Sequence, residues 1–139
     1  MSSGERKPPA QRGVEIRILV PGDSIDQGYL RHASVNLWQP MLEAGVQLFE
    51  YQPSMYHSKL MSIDDAWASI GSANLDNRSF RINNEANLSF YDTETAIRIR
   101  QLIEEDLADA QHYSLEDWQQ RAWHKRFFGF IGSLIRIYL

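Results

Sequence analysis

The alternation of apolar and polar positions divides the 139-residue chain into strands and helices in a regular order. Val14 to Val20 (VEIRILV) alternates at its start and then runs apolar into Pro21-Gly22, which predicts a strand ended by a turn. Gln27 to Glu43 carries Leu30, Val35, Leu37, Trp38, Met41 and Leu42 as the apolar face of a helix, with Pro40 implying a kink and Gly45 as the C-cap. Val46 to Tyr51 (VQLFEY) reads as the next strand. Strand, helix and strand in that order favour a parallel pair joined by a right-handed crossover.

From His57 to Asn74 the pattern is a hairpin. His57 and Lys59 open an extended segment, Asp64-Asp65 make a turn, and Trp67 to Ile70 returns as a second short strand. Leu75 to Asn84 is a polar loop carrying Asp76, Arg78 and Arg81, and Glu85 to Tyr91 (EANLSFY) is a further strand. Asp92 or Thr93 caps an amphipathic helix from Glu94 to about Ala110, with Ile97, Ile99, Leu102, Ile103 and Leu107 on its apolar side. Ser114 to Asp117 forms a weak capping box opening another helix through Trp118 and Trp123. Domain bounds follow: a disordered lead-in over 1–12, an α/β lobe over 13–124, and a basic and apolar amphipathic helix over 125–139.

The chemistry-bearing residues concentrate in the hairpin. His57 and Lys59 stand two apart, so on an extended segment both point to one face. An imidazole beside a fixed ammonium suits attack on phosphorus, with the nitrogen as nucleophile and the cation neutralising phosphoryl oxygens. Gly71-Ser72-Ala73-Asn74 adds a hydroxyl, an amide and open backbone N–H groups as donors for a phosphate oxygen, and glycine lets the backbone come close. Arg78 suits either a phosphate contact or an ion pair with Asp76.

Composition narrows the classes. There is no cysteine, so disulfides and thiolate metal sites are excluded. No carboxylate cluster or histidine pair has metal-ligand spacing, and no metal or other cofactor is expected. The net charge of −4 argues against a nucleic-acid partner, which needs a basic face. Met1 to Arg12 has no apolar run of a secretory signal, and no stretch reaches the ~20 apolar residues of a membrane span. Lys125, Arg126 and Arg136 among the apolar residues of the tail suit either a membrane surface or a protein partner.

The pattern H-x-K-x(4)-D-x(6)-G-S-x-N, carried by His57, Lys59, Asp64, Gly71, Ser72 and Asn74, resembles the signature of the phospholipase D superfamily. The longer wording HSKLMSIDDAWASIGSANLDNRSFRINNEANLSFYD is similar to the second signature of bacterial cardiolipin synthases. The resemblance implies a phospholipase D-like lobe, a mixed β-sheet flanked by helices. It implies that His57 becomes a phosphohistidine, that Lys59, Ser72 and Asn74 hold phosphate oxygens, and that Glu85 orients the imidazole. Asp64 is grouped with this catalytic set, in a supporting role beside Lys59. The implied activity is phosphatidyl transfer, phosphatidylglycerol to cardiolipin plus glycerol, on an anionic phospholipid at the cytoplasmic membrane of a bacterium, with the protein peripheral.

The chain carries one signature, whereas the family builds its site from two. A homodimer or a second lobe is therefore the expected completion. The family's first strand and helix also have no counterpart ahead of RGVEIRILVPG. The alternatives are a phospholipase D-type phosphodiesterase, a small homodimeric nuclease, and a non-catalytic half that docks to membrane or dimerises.

Overall fold

The structure is a computed structural model describing residues 9–22, 35, 38–54, 56–74 and 83–121. Its elements in chain order are β1 (Arg17–Pro21), α1 (Trp38–Glu43), β2 (Gln47–Tyr51), β3 (Leu60–Ile63), β4 (Trp67–Gly71), β5 (Asn87–Phe90), α2 (Thr93–Ala108), β6 (Ala110–Tyr113) and α3 (Leu115–Gln119). The α/β class expected from the pattern is the observed one. The strands form two three-stranded sheets, ordered β1-β2-β6 and β3-β4-β5, in two compact units.

The first unit contains the parallel pair. β1 and β2 run in register from Arg17↔Gln47 to Pro21↔Tyr51, and β6 adds antiparallel to β2. No strand is expected from the sequence at β6, because AQHY has no hydrophobic alternation; its place is set by pairing to β2 and by His112 packing edge-on against Phe49 at 5.2 Å. The core here is Val35, Trp38 and Leu48, with Val20, Met41, Leu42, Tyr113 and Trp118 packed against it. Trp38 and Tyr113 meet at 5.1 Å with rings at 81°, and the Trp118 indole N–H donates to the Val35 carbonyl at 2.8 Å. The Ser114–Asp117 capping box forms in full at the start of α3. Ser114 bonds hold the Asp117 carboxyl below its ordinary range, the side-chain hydroxyl acting more than the backbone N–H.

Gly45 closes α1 in the left-handed region (φ 91°), donating its N–H to Leu42. Pro40 lies within the described turns of α1, while the expected helical residues 27–34 lie outside the described set. At the other end of the unit, Ala10–Arg12 of the expected lead-in forms a 3-10 turn closed by Gly13 at φ 87°.

The second unit is the hairpin, β5 and α2. β3 and β4 pair antiparallel from Leu60↔Ile70 to Ile63↔Trp67, and β5 pairs with β4 from Ala68↔Phe90 to Gly71↔Asn87. Helix α2 buries Ala96 and Ile99 against Ala68, with Leu60, Phe90 and Ile103 around them. Ala68 sits opposite the helix because a larger side chain there would hold α2 off the sheet. Asp92 caps α2 by accepting from Thr95 N–H at 2.8 Å, and this bond draws its carboxyl below the usual value. The Arg100 guanidinium on α2 meets Asp65 in the β3–β4 turn at 2.6 Å. The expected C-terminal helix over 125–139 lies outside the described residues.

Candidate active site

One end of the β3-β4-β5 sheet gathers most of the residues singled out in the sequence. β3 begins at Leu60, so His57 and Lys59 lie in the extended approach to it. The pairing with β4 continues one step further there, since Gly71 N–H donates to the Lys59 carbonyl at 3.1 Å. Lys59 and the Gly71-Ser72 turn are thereby neighbours across the hairpin, as a return strand requires. Lys59 Nζ donates to the His57 carbonyl at 2.8 Å, which folds the ammonium back beside the histidine. His57, Ser72 and Asn74 are exposed, and Lys59 is half-buried.

The Ser72 hydroxyl both donates and accepts. It donates to Glu85 Oε2 at 2.5 Å and accepts from Ala86 N–H at 3.1 Å. Asn83 Nδ2 donates to the other Glu85 oxygen at 3.3 Å. Glu85 thus accepts from both Ser72 and Asn83, and no hydrogen bond joins it to the His57 imidazole among the described residues.

The backbone of the turn differs from expectation. Three of its four N–H groups are taken: Gly71 donates to Lys59, Ser72 to the Ala86 carbonyl at 3.0 Å, and Ala73 to Asn87 Oδ1 at 3.3 Å. Antiparallel pairing with β3 on one side and the residues around β5 on the other consumes them. Gly71 is a glycine for a related reason. A Cβ there would fall on the Asn87 side chain and 2.6 Å from the Ala86 carbonyl. Its open space admits another strand's side chain, not a phosphate.

Asp64 is not gathered with the others. It occupies the far turn of the hairpin at φ 49°, a left-handed position that aspartate tolerates better than most residues. Five residue steps of extended chain lead to it from Lys59, about 17 Å at 3.3 Å per step. Its position is explained by the turn. Arg78 lies outside the described residues. Among the described residues no group of three or more histidine, cysteine or acidic side chains has metal-binding geometry.

Two contributors escape the sequence reading, Asn83 and Asn87. Their spacing held a signal, since Asn83, Glu85 and Asn87 alternate and so share a face when extended.

A family model described as cardiolipin synthase, PLD-like domain, matches residues 7–107. Cardiolipin synthase A of Pseudomonas putida is 40% identical over 108 residues, covering 78% of this chain and 22% of that protein. Cardiolipin synthase 2 of Bacillus anthracis is 34% identical over 120 residues, covering 86% of this chain and 23% of that protein. The chain thus spans about a quarter of the length of these relatives. In fold it is similar to the crystal structure of Nuc, a phospholipase D family member from Salmonella typhimurium, with a TM-score of 0.62 at 18% identity over 75% of this chain and 67% of that one. With His57, Lys59, Gly71, Ser72 and Asn74 of the signature at one sheet end and the match covering most of its length, the chain belongs to the cardiolipin synthase family of phospholipase D-like domains.

Proposed function

We propose that this domain supplies one half of a phosphatidyltransferase site that makes cardiolipin and glycerol from two molecules of phosphatidylglycerol. The observation that supports the reading is the hairpin closure: Gly71 N–H donates to the Lys59 carbonyl, which joins the segment carrying His57 and Lys59 to the strand that leads into the Ser72–Asn74 turn. A His57 ring nitrogen attacks phosphorus, the P–O bond to the glycerol headgroup breaks, and the departing oxygen takes a proton from a general acid. That acid is the histidine of a second signature, brought by a second copy or a second lobe. The hydroxyl of another phosphatidylglycerol then gives up its proton to the same group and attacks phosphorus. The P–N bond breaks and His57 is regenerated.

Lys59 and the Asn74 amide neutralise the phosphoryl oxygens as charge builds on them. An arriving phosphate oxygen also competes with Glu85 for the Ser72 hydroxyl proton. Transfer of that bond to the phosphate releases Oε2 of Glu85 toward the imidazole, where a carboxylate fixes the tautomer and steadies the imidazolium. The reading places the protein at the membrane surface. No helix among the described residues is long and apolar enough to cross a membrane, and the basic residues Lys125, Arg126 and Arg136 suit anionic headgroups.

The test is conversion of labelled phosphatidylglycerol in mixed micelles by the chain and by His57→Ala. Cardiolipin and glycerol formed only by the unmodified chain support the proposal. Phosphatidic acid as the sole lipid product replaces it with a hydrolase. No turnover by the folded chain, with turnover restored by a separately supplied second lobe, assigns the missing acid to that lobe.

A further inference from the structure

The Asn87 side chain does something that neither nucleophile nor phosphate ligand accounts for. In register it faces Gly71, the one residue of β4 without a side chain, and it lies across the space a Cβ would fill. From there Oδ1 accepts from Ala73 N–H at 3.3 Å, two residues beyond its partner in the ladder. Only the carbonyl oxygen of a carboxamide can accept, so this donor also sets which way round the amide lies. Three successive N–H groups are then held by three different residues on two segments: Gly71 by Lys59, Ser72 by Ala86, and Ala73 by Asn87. Asn74 is the next residue, and its carboxamide hangs from a backbone fixed up to the preceding amide.

We propose that Asn87 is a positioning residue that holds the Ser72–Asn74 turn through Ala73 N–H and thereby presents Asn74 to a phosphate oxygen. This rests on the reading of Asn74 and Lys59 as phosphate ligands. Gly71 and Asn87 act as one device: the glycine makes room, and the asparagine uses the room to reach past the end of the strand. Ladder hydrogen bonds alone would leave Ala73 unsecured, because β4 ends at Gly71.

The test uses the 15N-labelled full chain, with amide exchange read at Ala73 and inorganic phosphate titration read at the Asn74 side-chain amide. Loss of one exposed hydrogen bond in Asn87→Ala speeds Ala73 exchange about fivefold while the amides of β3 and β4 keep their protection. Phosphate affinity at Asn74 falls roughly threefold to tenfold in the same variant. Asn87→Asp keeps an acceptor oxygen in place and restores Ala73 protection; its charge repels phosphate, so exchange alone is its readout. Asn87→Ser is polar but too short to reach Ala73, carries the same expectation as alanine, and keeps the test decisive where alanine loses the fold. Unchanged Ala73 exchange in a folded Asn87→Ala or Asn87→Ser overturns the proposal. So does faster exchange with phosphate affinity unchanged, provided Lys59→Ala abolishes the phosphate response. An unmodified chain without any phosphate response overturns the phosphate-ligand reading itself and the proposal with it, while Ala73 exchange still reports whether Asn87 holds the turn.

Discussion

Replacing Gly71 by alanine puts one methyl group where the structure has no room for it. The new Cβ would lie 2.6 Å from the Ala86 carbonyl and would collide with the Asn87 side chain. The side chain can swing away, at the loss of its bond to Ala73; the carbonyl belongs to the backbone, and moving it strains or breaks the Ser72–Ala86 bond of 3.0 Å. Two net hydrogen bonds of about 1 kcal/mol each and overpacking of about 1–3 kcal/mol, offset by the roughly 0.5–1 kcal/mol that alanine gains over glycine, leave about 2–4.5 kcal/mol of destabilisation. Gly45→Ala is the control. That glycine has φ 91° and nothing within 4 Å of its Cβ position, so only left-handed strain applies, about 1–2 kcal/mol. Urea unfolding followed by circular dichroism, with amide exchange in β4 and β5 to localise the effect, measures both. A Gly71→Ala chain within about 0.5 kcal/mol of the unmodified one, a threshold at the limit for ordinary surface changes, would refute the close approach argued for this strand end. A greater loss in Gly45→Ala than in Gly71→Ala would do the same.

Leu48 is fully buried in the core of the first unit, so Leu48→Ala lowers stability by about 2–5 kcal/mol in the same urea assay. The Asp92 carboxyl has a lowered value in the folded chain, so its capping contribution is complete above the unfolded value near 3.8 and is lost as pH falls through the lower, folded one. Acid titration of helix content between about pH 6 and pH 2 should show this loss, and Asp92→Asn, which still caps, should flatten that part of the curve. Arg100→Ala removes a pair whose side chains are 39% and 49% exposed, so the cost is below about 1 kcal/mol and shrinks further in high salt.

Much of this domain was legible because its signals are local. The alternation of VEIRILV and VQLFEY predicted β1 and β2, and the strand–helix–strand order predicted their parallel pairing, since only a crossover connects strands that way. Asp92 and Ser114 announced helix starts because a cap depends on two or three consecutive residues. The hairpin that carries His57, Lys59, Ser72 and Asn74 was equally legible, because its two arms are close in sequence and pair with each other.

Only tertiary structure decided how those residues bond. Strand β6 has no pattern of its own and exists because β2 offers it an edge. The turn's N–H groups looked open in sequence, yet the approach to β3 and the segment around β5 occupy those of Gly71, Ser72 and Ala73, and β5 is more than a dozen residues away. The same distance hid the Ser72–Glu85 bond and the use of Gly71 as a slot for Asn87. A residue's type states what it can donate or accept; which partner takes it depends on which strand lies alongside, and that is set by packing α2 onto Ala68 and by register, not by the neighbouring letters.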